Sequence, residues 1–479
     1  MTVNVNNMYS ATSHSQGLLR RYSTKHTRRC YHELSYASTH MDPFQVLNYH
    51  HQQQNQQNPW ESPEPPSSPG RWYLLELHAA PWNPADYNTV QGRYPIPQHS
   101  LAHLRTSTVI PNTTIAGSEG LGRVIHIVEN SQCESQANSS LDTISMGQWA
   151  YLGLPGMGSF RSHMWLPEQA LLPLSNTLTD NNSSSIAQWA TLLQLGGTAY
   201  NLLIQYIRRK HHDDDNDNND NTPRPITIVQ NAAHSNVGFI IQQIVPLLFP
   251  NSTLINVVRT PCEPYFAQFP QHTTNDTTHH HYNLQVAESE LMNAKNVWNV
   301  VRDEAASCFP HAAEPHPWTP PLLSLDAVGG DSAARLWKLL GQGGTMVTYG
   351  ALSKSPISNI SCPSLIFQDK HLQGHWHSQW MERADRGSKQ RMLQQLVEWV
   401  ESGRLQLPPV QVVPLKDFCQ DVLRNHGGET NNETNPIITG SEFNTGDAED
   451  KDDDSTRGAL LSIPGPSRPK IVVDLTEHS

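Results

Sequence analysis

Apolar and polar positions fall in alternating blocks along this chain, and the most regular block runs from Ile226 to Arg259. Ile226-Thr-Ile-Val-Gln-Asn is short, continuous and β-branched, which predicts a buried strand. A polar turn, Ala233 to Gly238, leads into Phe239-Ile-Ile-Gln-Gln-Ile-Val, whose spacing suits a helix. Leu254-Ile-Asn-Val-Val-Arg259 reads as a second strand, so the block predicts a βαβ unit. Further strands are predicted at Trp72–Ala80, Val410–Leu415 and Ile471–Leu475. Helices are predicted at Ile186–Tyr206 and Lys389–Val400, the second from Leu393, Leu396, Val397 and Val400. Polar tracts separate these blocks: His50–Gly70, Glu129–Ser145, Lys210–Pro225, Gln271–Tyr282 and about Asn425–Pro469. They read as surface insertions, because each doubling of loop length costs only ~0.6 kcal/mol.

The turn in the βαβ unit admits two readings. Backbone N–H groups at the head of its helix can hold a phosphate. A dinucleotide fingerprint has three glycines there and an acid ending the second strand; this chain has Gly238 alone and Arg259 in place of the acid. An arginine at that position suits a ribose 2′-phosphate. An ordinary crossover with a solvated arginine accounts for the segment equally well.

The 479 residues hold two or three domains, and discounting the polar tracts brings the folded part nearer two. The formal charge of −12 argues against nucleic-acid binding. Much of it lies in two runs, Asp213–Asp220 and Asp447–Asp454, so it says little about a site. The 6 cysteines never stand at C-x-x-C spacing and give neither a zinc site nor a disulfide framework. His279–His281 and His211–His212 sit in low-complexity tracts without fixed geometry for a metal. No apolar run approaches the ~20 residues that span a bilayer. Residues 1–32 contain no acid but carry Arg20, Arg21, Lys25, Arg28 and Arg29 among serines and threonines. That composition suits a mitochondrial transit peptide, or else a basic tail.

Asn83-Pro-Ala-Asp-Tyr-Asn-Thr-Val-Gln-Gly-Arg-Tyr94 follows the first clear strand. Later come Ala116-Gly-Ser-Glu-Gly-Leu-Gly-Arg-Val, Gly147-Gln-Trp-Ala, Gly156-Met-Gly-Ser-Phe-Arg161 and Gln230-Asn-Ala-Ala-His-Ser-Asn-Val-Gly238. Asp326-Ala-Val-Gly-Gly, Gly343-Gly-Thr-Met-Val-Thr-Tyr-Gly350, Leu365-Ile-Phe and Gly374-His-Trp-His-Ser-Gln-Trp380 complete the series. In this order, from about Tyr31 to Leu475, the segments resemble the zinc-free branch of the medium-chain dehydrogenase/reductase superfamily. Within it they resemble the mitochondrial trans-2-enoyl-CoA (enoyl-[acyl-carrier-protein]) reductases.

The resemblance implies an α/β protein with a GroES-like, mostly-β catalytic domain and a Rossmann doubly wound cofactor domain. Its division is 31–185 catalytic, 186–375 cofactor-binding and 376–479 returning to the catalytic domain, with an insertion at about 425–469. The implied reaction is NADPH-dependent reduction of a trans-2-enoyl thioester of acyl carrier protein or CoA, in mitochondrial fatty acid synthesis and without a metal. The implied proton donor is Tyr94, with Gly92 and Pro95 holding its loop; a phenol, pKa about 10, keeps its proton at neutral pH. The implied cofactor residues are His234, Ser235, Asn236 and Val237 at the pyrophosphate and Arg259 with Lys470 at the 2′-phosphate. Tyr349, Gly350, Ala351 and Leu352 would lie along the nicotinamide, and His375, Trp376 and His377 would close the cleft. A homodimer through the cofactor-domain sheet edge and residence in the mitochondrial matrix follow from the same likeness.

Several positions depart from the family pattern. Asn236 and Ala351 replace glycines, and Pro261 stands where a second arginine is usual. Leu195, in Gln194-Leu-Gly-Gly-Thr-Ala-Tyr200, replaces the asparagine that holds the nicotinamide amide. These departures keep two rivals in view: an NADPH quinone or enone reductase of the same superfamily, and a catalytically lapsed relative serving as an interaction protein.

Overall fold

The computed structural model describes residues 30–36, 48–53, 66–95, 100–106, 112–130, 144–174, 178, 183–214, 226–259, 281–293, 296–308, 319–418 and 470–476. The basic amino-terminal segment, apart from Cys30, and the expected insertion at about 425–469 lie outside the described residues.

The half expected to be catalytic is built on one long strand, β3 (Gly70–Pro81), in which Tyr73, Leu75 and Leu77 are fully buried. Before it, β1 (Cys30–Tyr36) and β2 (Asn48–Gln53) pair antiparallel, and β4 (Thr114–Ile115) joins the other side of β1. The strand β2 corrects one expectation, since its last residues, His50–Gln53, fall in the tract read as a loop from His50. Helix α1 (Pro84–Val90) follows β3 directly. Then come β5 (Leu121–Asn130), β6 (Trp149–Leu152), β7 (His163–Pro167) and β8 (Leu171–Pro173). With β15 (Val410–Pro414) and β16 (Lys470–Asp474) they form a seven-stranded sheet of order β15-β16-β3-β5-β6-β8, with β7 paired to β3. Its inner side chains enclose Trp82, Phe160 and Phe418, whose rings pack against one another.

The helix predicted at Ile186–Tyr206 is three pieces. Helix α2 (Ser183–Ala190) packs on the catalytic sheet, and its Trp189 carbonyl accepts the Tyr151 hydroxyl at 2.6 Å. A π-turn, Leu192–Gly196, follows, and α3 (Gly197–Asp214) carries on into the tract that the polar pattern assigned to a loop. The extra residue of a π-turn breaks the 3.6-residue register, a distortion common at functional sites.

The cofactor half is a sheet of six parallel strands: β9 (Ile226–Gln230), β10 (Ser252–Val258), β11 (His281–Ala287), β12 (Leu323–Asp326), β13 (Thr345–Thr348) and β14 (His371–Gly374). Its order, β11-β10-β9-β12-β13-β14, reverses direction between β9 and β12. A crevice opens beyond the carboxyl ends of the strands at such a reversal, which is where doubly wound sheets take ligands. The helices are α4 (Asn236–Leu248), α5 (Glu288–Asn293), α6 (Val297–Cys308), α7 (Gly330–Leu339) and α8 (Cys362–Phe367). Helices α9 (His377–Arg383) and α10 (Arg386–Glu401) then lead back to β15.

Candidate active site

The turn between β9 and α4 is held from below by hydrogen bonds between buried side chains. Asn231 Nδ2 donates to Asp326 Oδ1 at 2.7 Å, and Asp326 in turn accepts the Val328 and Gly329 amides. Gln230 Nε2 donates to Asn256 Oδ1 at 2.7 Å, tying β9 to β10. Above this floor, Ser235 caps α4, its hydroxyl oxygen accepting the Gly238 amide at 3.0 Å. The cap meets one of the unpaired donors of the helix head and leaves the others toward the crevice. Gly238 admits no side chain, because a Cβ there would stand 2.7 Å from the carbonyl oxygens of Ala232 and Ala233. His234, Ser235, Asn236 and Val237 therefore share one cradle, half-buried, at the switch point.

Arg259 follows β10 and is exposed. Burial, with the Arg259 guanidinium second, holds the His234 imidazole below its ordinary pKa, so the arginine's charge is felt at the turn. Tyr349, Gly350, Ala351 and Leu352 leave β13 and are stapled to the end of β12. The Tyr349 amide donates to the Asp326 carbonyl at 2.8 Å and the Leu352 amide to that of Ala327 at 3.1 Å. Buried polar atoms beside this crevice, the Tyr349 hydroxyl and Asn236 Oδ1 among them, lack partners among the described residues. A dinucleotide with a 2′-phosphate fits what these residues offer: helix-head amides, a nearby guanidinium and unpaired buried polar atoms.

Across the crevice stands Tyr94, whose amide and that of Arg93 are pinned on the Asn88 carbonyl. Trp376 Nε1 donates to the Tyr94 hydroxyl oxygen at 2.5 Å, and the two rings meet edge to face. Ser378 lies close enough to the same hydroxyl to pull its pKa down. Burial raises the phenol's pKa, outweighing these hydrogen bonds, which favour the phenolate; Asp86 raises it further. Tyr94 therefore keeps its proton. An indole can only donate, so the oxygen accepts from Trp376 while its own O–H stays available to another acceptor. The cleft around it is lined by Asp86, Thr89, Arg105, Ile115, Ser118 and Ser378, among others.

Two of the sequence-predicted residues stand elsewhere. Lys470 does not join Arg259: its ammonium donates to the Trp82 carbonyl and to Asn83 Oδ1, both at 2.6 Å, inside the catalytic half. Asn83 Nδ2 donates onward to Glu119 Oε1 at 2.8 Å, and Glu119 Oε2 accepts the Gln194 amide of the π-turn at 3.1 Å. Burial pushes Glu119 up and Lys470 down, and the bridging asparagine lets the two oppose each other. Fixed charges this deep need such partners, which is why Lys470 turns inward. His377 is buried with its ring against Gly197 and Met392 and stacked on Trp380, packed under the π-turn rather than lining the cleft. His375 meets Tyr206 edge to face. Leu195 is buried in the π-turn itself. The bridge of Asn83, Glu119 and Lys470 was not foreseen; its one sequence signal was an acid inside a glycine-flanked turn. Among the described residues, no group of three His, Cys, Asp or Glu side chains could hold a metal ion.

A seven-stranded GroES-like sheet joined to a six-stranded Rossmann sheet, with the crevice between them, is the fold of the medium-chain dehydrogenase/reductases. Residues 323–420 match the family model described as "Zinc-binding dehydrogenase". The chain is similar to the mitochondrial enoyl-[acyl-carrier-protein] reductases: it is 28% identical to the Bos taurus protein over 345 residues, 72% of this chain and 75% of that one. The Caenorhabditis elegans protein of the same name is 29% identical over 72% of this chain and 81% of its own length. The mitochondrial 2-enoyl thioester reductase Etr1p/Etr2p heterodimer from Candida tropicalis has the same fold, with a TM-score of 0.59 at 21% identity over 83% of this chain and 97% of that one.

Proposed function

We propose that the protein is an NADPH-dependent reductase of trans-2-enoyl thioesters, carried on CoA or acyl carrier protein, working in the mitochondrion. The observation that carries the reading is the Trp376–Tyr94 hydrogen bond, which joins the two halves where the crevice meets the cleft. The relatives' names include both the reaction and the compartment, and a structure of Etr1p was solved with NADP and crotonyl-CoA.

When bound, NADPH supplies the hydride for the substrate's β carbon. The cradle of His234 to Val237 would hold the pyrophosphate, Arg259 the 2′-phosphate, and Tyr349 to Leu352 the nicotinamide side. Negative charge then builds on the thioester oxygen. The Tyr94 hydroxyl, already oriented by Trp376, donates toward that charge in a partly buried cleft, where a fixed donor is worth more than in water. Ser378, at the same hydroxyl, gives the proton a second oxygen to pass through.

The division at residues 185 and 375 follows this reading, the catalytic sheet keeping β15 and β16. Two copies would join along β14, the outermost strand of the six. Leu372 on that strand and Leu365, Ile366 and Phe367 on α8 are exposed together, and an open apolar strand edge calls for a cover.

Steady-state turnover of wild type and Tyr94→Phe with NADPH and crotonyl-CoA tests the proposal. We expect kcat to fall about a hundredfold or more while NADPH affinity, read by fluorescence, stays unchanged. Turnover of quinones but not of crotonyl-CoA would move the protein to the quinone-reducing relatives. Absence of NADPH binding would leave only an interaction role.

A further inference from the structure

One wall of the Tyr94 cleft carries charge that the reduction does not use. Between Asp86 and Glu119 the sequence has no acid, yet it carries Arg93, His99, His103 and Arg105, in a chain of formal charge −12. Arg105 lines the cleft with Tyr94 and is half-buried at its rim; Arg93 is exposed beside it in sequence. Among the described residues neither guanidinium has a hydrogen bond or ion pair. Asp86, the acid that lines the same cleft, is buried and already accepts from the Asn83 amide and the Ser118 hydroxyl.

The turn carrying Arg105 (Ala102–Arg105) is held in place by a second arginine. Arg161 is buried, and its guanidinium donates to the carbonyls of Leu104 at 2.7 Å, Met157 at 2.8 Å and Gly158 at 2.8 Å. Gly158, at φ +75°, lets the backbone pass so close that a Cβ there would stand 3.3 Å from that of Arg105. One arginine thus spends its donors fixing the turn, while the other lines the cleft and has no partner among the described residues. A planar guanidinium without a counter-ion matches the oxygens of a phosphate.

From this we infer that Arg105 holds the phosphate of the phosphopantetheine arm by which the thioester is carried. The inference rests on the thioester reading above. CoA and the prosthetic group of an acyl carrier protein share this phosphorylated arm, so the chemistry recognised is common to both.

The test compares crotonyl thioesters of N-acetylcysteamine, 4′-phosphopantetheine and CoA on wild type, Arg105→Gln and Arg105→Lys. We expect Arg105→Gln to raise KM for the two phosphate-bearing thioesters about tenfold more than for the N-acetylcysteamine thioester. Arg105→Lys should recover part of the loss. An equal fall on all three substrates, or no change on any, overturns the inference. Calorimetric titration with CoA alone, at low and high salt, separates it from the proposed activity. CoA binding that weakens in Arg105→Gln supports the phosphate contact even if no enoyl thioester turns over, and binding indifferent to the substitution rejects it. Substrates that differ in KM between CoA and phosphopantetheine by an amount Arg105→Gln abolishes would assign the contact to the outer phosphates of CoA and overturn the shared-arm form.

Discussion

His375 and His377 sit on either side of Trp376, and burial brings their pKa values down to about 4 and about 3. His375 Nε2 and both ring nitrogens of His377 lack hydrogen-bond partners among the described residues. The unfolded chain, with histidines near pKa 6.5, takes up protons first as pH falls. Stability is therefore complete above about pH 6.5 and is lost progressively down to about pH 4, by on the order of 3 kcal/mol per histidine. Denaturant midpoints between pH 7.5 and 4.5 should fall more steeply for wild type than for a His375→Phe, His377→Leu variant; parallel curves would contradict this. At this scale Tyr94 was legible, because a twelve-residue pattern surrounds it. Lys470 was not, since its partners Trp82 and Asn83 lie almost four hundred positions away and only the fold reveals that it is buried.

The βαβ unit was the most readable element, for a plain reason: strands buried on both faces read as continuous apolar runs, and β9 and β10 both do. Gly238 closes the turn between them, and backbone leaves its neighbours no room to yield. Gly238→Ala should weaken NADPH binding about tenfold or more and lower the melting temperature, as overpacking by about 1–3 kcal/mol would. Fluorescence titration and calorimetry check the two effects separately. Two elements escaped the reading. The π-turn is invisible in apolar spacing because Leu192, Leu193 and Leu195 are buried whether or not the helix bulges. Strand β2 is written in histidine, glutamine and asparagine, and its pairing with β1 rests on backbone hydrogen bonds that composition does not encode.

At the scale of the molecule, the order of the six parallel strands leaves β14 at the edge, beside an apolar α8. Replacing Ile366 and Leu372 by glutamate should convert the proposed dimer into particles of 53.6 kDa, measured by light scattering. A wild type already at that mass would remove the edge-to-edge pairing. The two-sheet architecture was open to the sequence through the resemblance carried by its ordered motifs, from Asn83–Tyr94 to Gly374–Trp380. The seam between the halves was not, because the bridge from Lys470 through Asn83 and Glu119 to Gln194 draws on four separate stretches.

The strand β16 lies between β15 and β3, although it is the last element described. All six strands of the nucleotide half come from one uninterrupted stretch, so that half can fold while the ribosome is still working. The substrate half has to wait. Until Lys470–Asp474 emerges, the Ala79–Pro81 end of β3 stays open beyond its pairing with β7, and an unpaired edge of this kind recruits neighbouring chains. Translation halted shortly before that point would release a polypeptide with a finished nucleotide fold and a sticky, half-closed companion.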